Sequence, residues 1–438
     1  MANLQRTRLD RISCAVCALI ATTVWTVLFP VHPASAAAVA AGDASDTGRF
    51  LRVHESEGSS IIALEVAIRR YTPSDGIGPE VALVGVAHIG DAALYDALQK
   101  SLDSFDRVLY ESVKPAGAAR PGGDTDSERI ESTRASLHFL ANAAATIKER
   151  TGELPADLDQ LAASIAEVDP RVAQWIELAR IDAWGAEVVY TLNPQGDGVL
   201  VHSLGADALP GGSDVNADIH AEEQSQALAL SSEDGLQAEL AKALDLEFQL
   251  NAIDYDRANW VCSDMSADQV QRALEARGLD FDVLGGTLAG SSIPAQAIKL
   301  MLRLMRAADA MMDGAVSDLM KVMLIEMLGD ESITTRAIEQ QMGAGFADVI
   351  VGERNAVVMT DLARIRADEP DVKSVAIFYG AAHMSDFEER LKQIGYVDAG
   401  AEWIKAIEVD MAKSAMGERE MNQMRNMVRR SLRQMMNR

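Results

Sequence analysis

The chain has 438 residues, 48% hydrophobic and 24% charged, with 66 Asp and Glu against 40 Lys and Arg for a formal charge of −26. That acidity argues against nucleic acid as a partner, while the length and apolar content allow a large core and more than one domain.

Residues 1–36 read as a secretory signal peptide. Arg6, Arg8 and Arg11 precede an apolar stretch over 12–29, and Ala34-Ser35-Ala36 supplies a small-residue cleavage site. The stretch approaches bilayer-spanning length, so an uncleaved anchor is the alternative, but Pro30 and Pro33 favour cleavage. The remainder is therefore expected to be exported, either to the periplasm or out of the cell. Cleavage removes three Arg and one Asp and takes the charge to −28. Cys14 and Cys17 leave with the signal, so Cys262 has no intrachain disulfide partner.

Residues 37–57 are small and polar and read as a linker, with ordered structure expected from the alternating run I-I-A-L-E-V-A-I that starts at Ile61. The run V-A-L-V-G-V-A-H-I-G-D over 81–91 is a β-rich segment ending in Gly-x-x-His, which places His88 at a strand-to-helix turn. Asp91 can cap a helix in which Ala92, Tyr95, Leu98 and Leu102 recur at helical spacing, and R-V-L-Y-E over 107–111 returns as a strand. A right-handed βαβ unit follows, with Glu111 at the same carboxyl edge as His88, where open α/β sheets hold ligands.

After the Gly/Pro-rich break A-G-A-A-R-P-G-G-D, residues 128–220 read as an insert. It starts with a helix in which Leu137, Leu140, Ala144 and Ile147 share one face. Towards its end Asp207 and Asp214, with Gly211 and Gly212 between them, can fold two carboxylates and backbone carbonyls around one hard cation. An ion-free acidic turn is the alternative. His138, His202 and His220 read as ordinary surface or core histidines.

Residues 296–327 carry seven methionines (301, 305, 311, 312, 320, 323 and 327), but interspersed charges exclude a membrane span and point to a core helix pair. In A-D-V-I-V-G-E-R-N-A-V-V-M-T-D-L, over 347–362, Glu353, Arg354 and Asn355 follow a short apolar strand or loop and precede a helix, so all three can line one cleft. The run V-A-I-F-Y-G-A-A-H-M-S-D over 375–386 repeats the first Gly-x-x-His context and delivers His383 to an equivalent turn. Ser385 or Asp386 can cap the following helix, Phe387, Leu391 and Ile394 form its stripe, and Gly395 closes it. The tail over 411–438 alternates arginines with Met421, Met424, Val428, Leu432 and Met435. Docking on the acidic body or partial disorder is expected, and an anionic membrane surface is the lesser alternative.

Two imidazoles and a carboxylate are a three-ligand set that leaves a position for water or substrate, as hydrolytic metal sites require. Arg354 can hold a carboxylate or developing negative charge, and Asn355 can orient a ligand. A metal-free variant uses His88 or His383 as general base.

Gly-Val-Ala-His at 85–88, Tyr-Glu at 110–111, Glu-Arg-Asn at 353–355 with Met359, Gly-Ala-Ala-His at 380–383 and the stretch over 244–265 together resemble the TraB/GumN/PrgY family and its Tiki-type relatives, across 58–127 and 225–408. The resemblance implies an α/β fold, a central mixed or mostly parallel sheet flanked by helices. It also implies a peptidase using manganese or cobalt, with zinc also open, and a site of His88, Glu111, Arg354, Asn355 and His383. Its metal ligands would be His88, Glu111 and His383. Other family members act in pheromone control, which keeps open a non-catalytic peptide- or ligand-binding protein whose insert docks a partner. The insert resembles the globular part of the major pseudopilin of type II secretion systems, an α+β domain. That likeness implies calcium held by Asp207, Asp214 and the carbonyls of Leu204 and Val215. The expected layout is 1–36 signal, 37–57 linker, 58–127 and 221–410 main domain, 128–220 insert and 411–438 tail.

Overall fold

The computed structural model describes residues 48–56, 58–221, 228, 236–279, 293–329 and 344–436, and the signal-peptide reading of 1–36 lies outside them. The chain enters the sheet earlier than Ile61, because Phe50 is fully buried and β1 (Leu51–Glu55) pairs antiparallel with β2 (Ile61–Pro73). Then come β3 (Glu80–Val86), β4 (Ile89–Gly90), α1 (Ala92–Leu102) and β5 (Arg107–Tyr110).

The insert follows as α2 (Asp126–Thr151), α3 (Leu158–Ala166), α4 (Pro170–Ala179) and the antiparallel strands β6 (Val189–Leu192), β7 (Val199–Ser203) and β8 (Ile219–His220). The chain returns through α5 (Leu236–Ala243), β9 (Glu247–Phe248), α6 (Gln249–Ala252), β10 (Trp260–Cys262) and α7 (Ala267–Glu275). Next are α8 (Ile293–Met311), α9 (Ala315–Leu328), α10 (Ala344–Ala347) and a π-helical segment (Asp348–Glu353) that runs into α11 (Arg354–Asp368). The chain closes with β11 (Ser374–Gly380), α12 (Met384–Gln393), β12 (Tyr396–Asp410) and α13 (Glu418–Met436).

The main sheet is mixed and flanked by helices. Its heart is four parallel strands in the order β3-β11-β5-β10, and β2, antiparallel to β3, carries the long return strand β12 on its other side. The two Gly-x-x-His strands are therefore direct neighbours, with Tyr379 opposite Gly85 and Gly380 opposite Val86. Strand alternation splits the core: Val84, Tyr110 and Phe378 face α1, α9 and the insert, whereas Leu83, Leu109 and Ile377 face α11 and α12.

Leu137, Leu140, Ala144 and Ile147 are buried, and their cluster runs without a break into the main sheet. The insert is seated on the sheet, with the Tyr110 hydroxyl donating to Gln174 Oε1 at 3.3 Å. Several local expectations shift. Ala92 is exposed and Leu94 takes its place on the buried face of α1. Asp91 stands at the N-cap position, but its carboxylate accepts the amide of Glu408 and so ties α1 to β12. α12 begins at Met384, immediately after His383, so neither Ser385 nor Asp386 caps it. Gly395 does adopt the left-handed conformation at its end, although Ile394 is half exposed.

Of the methionines, 320, 323 and 327 are core residues of α9, whereas 311 and 312 are exposed at the end of α8. Among the described residues no helix is long and apolar enough to cross a membrane. The tail docks: Met421 is fully buried, and Arg425 and Arg429 both pair with Glu326 of α9 and Glu55 of β1. Glu326 and Arg425 are buried. Removing Arg425 leaves buried Glu326 with only the partly exposed Arg429 as partner, so Arg425→Met should cost about 1–3 kcal/mol in chemical denaturation. A change below about 1 kcal/mol would mean that the tail contributes nothing to the fold.

Candidate functional site

Each of the four parallel strands ends in a polar residue at the same edge. His88 lies just beyond β3, His383 beyond β11, Glu111 directly after β5 and Asp264 two residues after β10. Parallel neighbours put equivalent ends together, which is why open α/β sheets build sites there.

Asp264, 1% exposed, takes both teeth of Arg354, with Nε to Oδ1 at 2.9 Å and Nη2 to Oδ2 at 2.7 Å. The same Nη2 reaches Glu111 Oε1 at 2.7 Å, and the Gly380 amide donates to Glu111 Oε2 at 2.6 Å. Burial would raise the Glu111 pKa, but Arg354, the two imidazoles and the Gly380 amide hold it well below the usual carboxylate range. Burial likewise opposes the Arg354 charge, and Asp264 and Glu111 outweigh it.

Both histidines are held in the same way by different elements. His88 Nδ1 meets Gln249 Oε1 at 2.8 Å, and the Gln249 side-chain amide donates to the Tyr255 hydroxyl at 3.0 Å. His383 Nδ1 meets Asn355 Oδ1 at 2.7 Å, and Asn355 Nδ2 donates to the His383 carbonyl at 3.2 Å and to Asp386 at 2.7 Å. An oxygen at Nδ1 requires Nδ1–H, so in the neutral ring Nε2 carries the lone pair.

Both Nε2 atoms border Glu111. His383 Nε2 lies 3.7 Å from Oε1, and a β-carbon placed on Gly380 would stand 3.2 Å from Glu111 Oε2 and 3.3 Å from His88 Nε2. Glycine at 380 thus leaves the space between them open. His88 is exposed, whereas His383 is 5% exposed. Burial is the main influence on His383, and with the Arg354 charge it brings the ring to about 4, below its ordinary value, against the opposing pull of Glu111.

The sequence-predicted residues His88, Glu111, Arg354, Asn355 and His383 come together. Glu353 does not join them. Residues 344–353 are helical, and Glu353 turns to Arg277 while Arg354 and Asn355 point inward. Two residues not singled out in sequence belong to the site, Asp264 as the partner of Arg354 and Gln249 as the holder of His88. Both lie in 244–265, where an acid just after the short strand W-V-C was the available signal. Cys262 is buried, which pushes its thiol up to about 12, and its Sγ donates to the Ser112 carbonyl.

The donor set fits a divalent metal in kind, because two Nε2 lone pairs and one carboxylate face a common space. Among the described residues, however, no three His, Cys, Asp or Glu side chains close into a cage for an ion. Arg354 already occupies one Glu111 oxygen, so the set is open.

In the insert, the limbs carrying Asp207 and Asp214 are joined by the Ala206 amide donating to the Val215 carbonyl at 2.9 Å. Both carboxylates are exposed, and Asp207 Oδ1 accepts the Leu209 amide. Gly205 cannot carry a side chain, since a β-carbon there would come within 2.9 Å of the Val215 and Ala217 carbonyls.

Residues 122–222 match the profile of the family described as type II secretion system (T2SS), protein G. The match covers less than a quarter of the chain and coincides with the insert, whose first helix starts at Asp126. No curated protein and no solved structure matches the chain. This is an α/β chain carrying a pseudopilin-like insert.

The depressed His383 pKa has a signed consequence. Below about 6.5 the unfolded chain takes up a proton that folded His383 refuses until about 4, so this residue makes stability fall as pH drops through that window. In chelator-treated buffer, the difference in unfolding free energy between wild type and His383→Gln should therefore vary with pH between about 4 and 6.5 and level off outside it. A constant difference would contradict the buried, neutral ring.

Proposed function

We propose that the chain is an exported hydrolase of the TraB/GumN/PrgY and Tiki type that acts on peptide bonds with a divalent metal. The observation carrying this reading is the matched pair of carboxamide-held imidazoles, whose Nε2 lone pairs both border the Glu111 carboxylate. Export is supported by the signal-like residues 1–36 and by the secretion-system family matched by the insert.

His88, His383 and Glu111 would hold the metal, with manganese or cobalt preferred and zinc open. Such an ion supplies acidified water and polarises a carbonyl. The side chains do the rest. Gln249 and Asn355 keep Nδ1 protonated and aim each Nε2 inward. Arg354, immobilised by Asp264, presents a fixed positive charge beside Glu111 that can hold a substrate carboxylate or developing oxyanion. Exposed His88 marks the side from which a peptide enters.

With added Mn2+, Co2+ or Zn2+, purified protein should cleave members of a peptide library, and His88→Ala or Glu111→Gln should lower the rate at least about 100-fold while remaining folded. Equal rates in variant and wild type would refute a role for this site. A second reading, a non-catalytic peptide-binding regulator whose insert docks a protein partner, is favoured by one observation: Arg354 already satisfies Glu111. Under that reading a peptide binds, no product forms under any metal, and Arg354→Ala weakens binding.

The insert is proposed to bind calcium through Asp207, Asp214 and the Leu204 and Val215 carbonyls. Oxygen donors of this kind suit a hard cation. Calcium should raise the unfolding temperature, and Asp207→Ala with Asp214→Ala should abolish the rise.

A further inference from the structure

The insert's sheet carries a feature that neither the main site nor the calcium loop uses. His202 on β7 stands directly opposite His220 on the edge strand β8, and the two rings stack with centroids 5.2 Å apart and planes 29° from parallel. Alternation sends Val201, Ser203 and Ile219 into the core, so the imidazoles lie on the outer face, His220 exposed and His202 half-buried. Among the described residues neither ring makes a hydrogen bond.

We propose that His202 and His220 form a two-imidazole site for a divalent transition-metal ion of the Zn2+, Ni2+ or Cu2+ class. Paired rings on opposed strands present two nitrogen donors whose separation the backbone sets in advance. A tetrahedral ion at about 2.0–2.1 Å from each nitrogen needs them roughly 3.3 Å apart, so the rings must turn out of their stacked arrangement to converge on it. A neutral imidazole offers one ring nitrogen as a lone-pair donor, so the pair supplies two. Asp218, two residues before His220, raises the negative potential there, while its Oδ1 is kept by the Gly211 amide at 3.0 Å.

The donor chemistry separates this site from the loop beside it. Imidazole selects borderline transition ions, whereas Asp207, Asp214 and carbonyls select hard ones. Because β7 and β8 are the two limbs that bracket residues 204–218, an ion on this pair would pin the base of that loop.

The test is titration of the full chain with Ni2+ after chelator treatment, in wild type, His202→Gln, His220→Gln and a His88→Gln/His383→Gln protein. Ni2+ bound per chain should fall by one, or its affinity at that site at least tenfold, in each insert variant, and that site should persist in the His88→Gln/His383→Gln protein. In the latter protein, Cu2+ paramagnetic resonance should show coupling to two nitrogens, reduced to one on adding His220→Gln. His220 is exposed, so its substitution leaves the fold intact. Unchanged Ni2+ stoichiometry and affinity in His220→Gln would overturn the proposal.

Discussion

The buried chain of charges Asp264–Arg354–Glu111 determines the arrangement of everything at the carboxyl edge of the sheet. Desolvating three charges is expensive, and it is tolerated here because nearly every acceptor is used: Asp264 takes two guanidinium bonds and the Met265 amide, and Glu111 takes Arg354 and the Gly380 amide. The consequence is positional. Glu111 cannot swing away from the space between the two imidazoles, since each of its oxygens is tied to a different element, one to α11 and one to the end of β11.

That arrangement depends in turn on strand order. β11 lies between β3 and β5, so a residue just past each end falls within a few ångströms of the others without any long loop. The π-helical turn before α11 contributes the remaining piece, bringing Arg354 and Asn355 to the site on consecutive positions while Glu353 is rotated towards Arg277. The insert is tied to the same structure. Its α4 sits against Tyr110 and places Arg171 near the Tyr255 ring, and the Tyr255 hydroxyl receives the amide of Gln249, the residue that holds His88.

Much of this was legible in sequence because it is local and periodic. The duplicated apolar run ending in Gly-x-x-His marks two like strands, and parallel pairing then makes a shared edge the simplest outcome. The helical face of Leu137, Leu140, Ala144 and Ile147 and the glycine-rich acidic loop were readable for the same reason. What could not be read was partnership across long separations. Asp264 and Arg354 lie 90 residues apart and Gln249 and His88 lie 161 apart, and no spacing rule links them. The strand-or-loop reading before Glu353 failed because a short apolar run has no period of its own to distinguish it from a buried helix.

The two halves of the repeat solve one problem by different routes. After β3 the chain makes a short strand that pairs with β9, and this brings Gln249 to His88 at an exposed position, where the Gln249 backbone amide also donates to the His88 carbonyl at 2.9 Å. After β11 it turns straight into α12, and His383 is buried against Asn355 from α11. Gln249 and Asn355 arise from unrelated positions, yet each puts a carbonyl oxygen on Nδ1 and each makes further contacts through its amide nitrogen. A carbonyl oxygen on Nδ1 leaves Nε2 as the lone-pair nitrogen of the neutral ring, and that is the atom the proposed metal site would use.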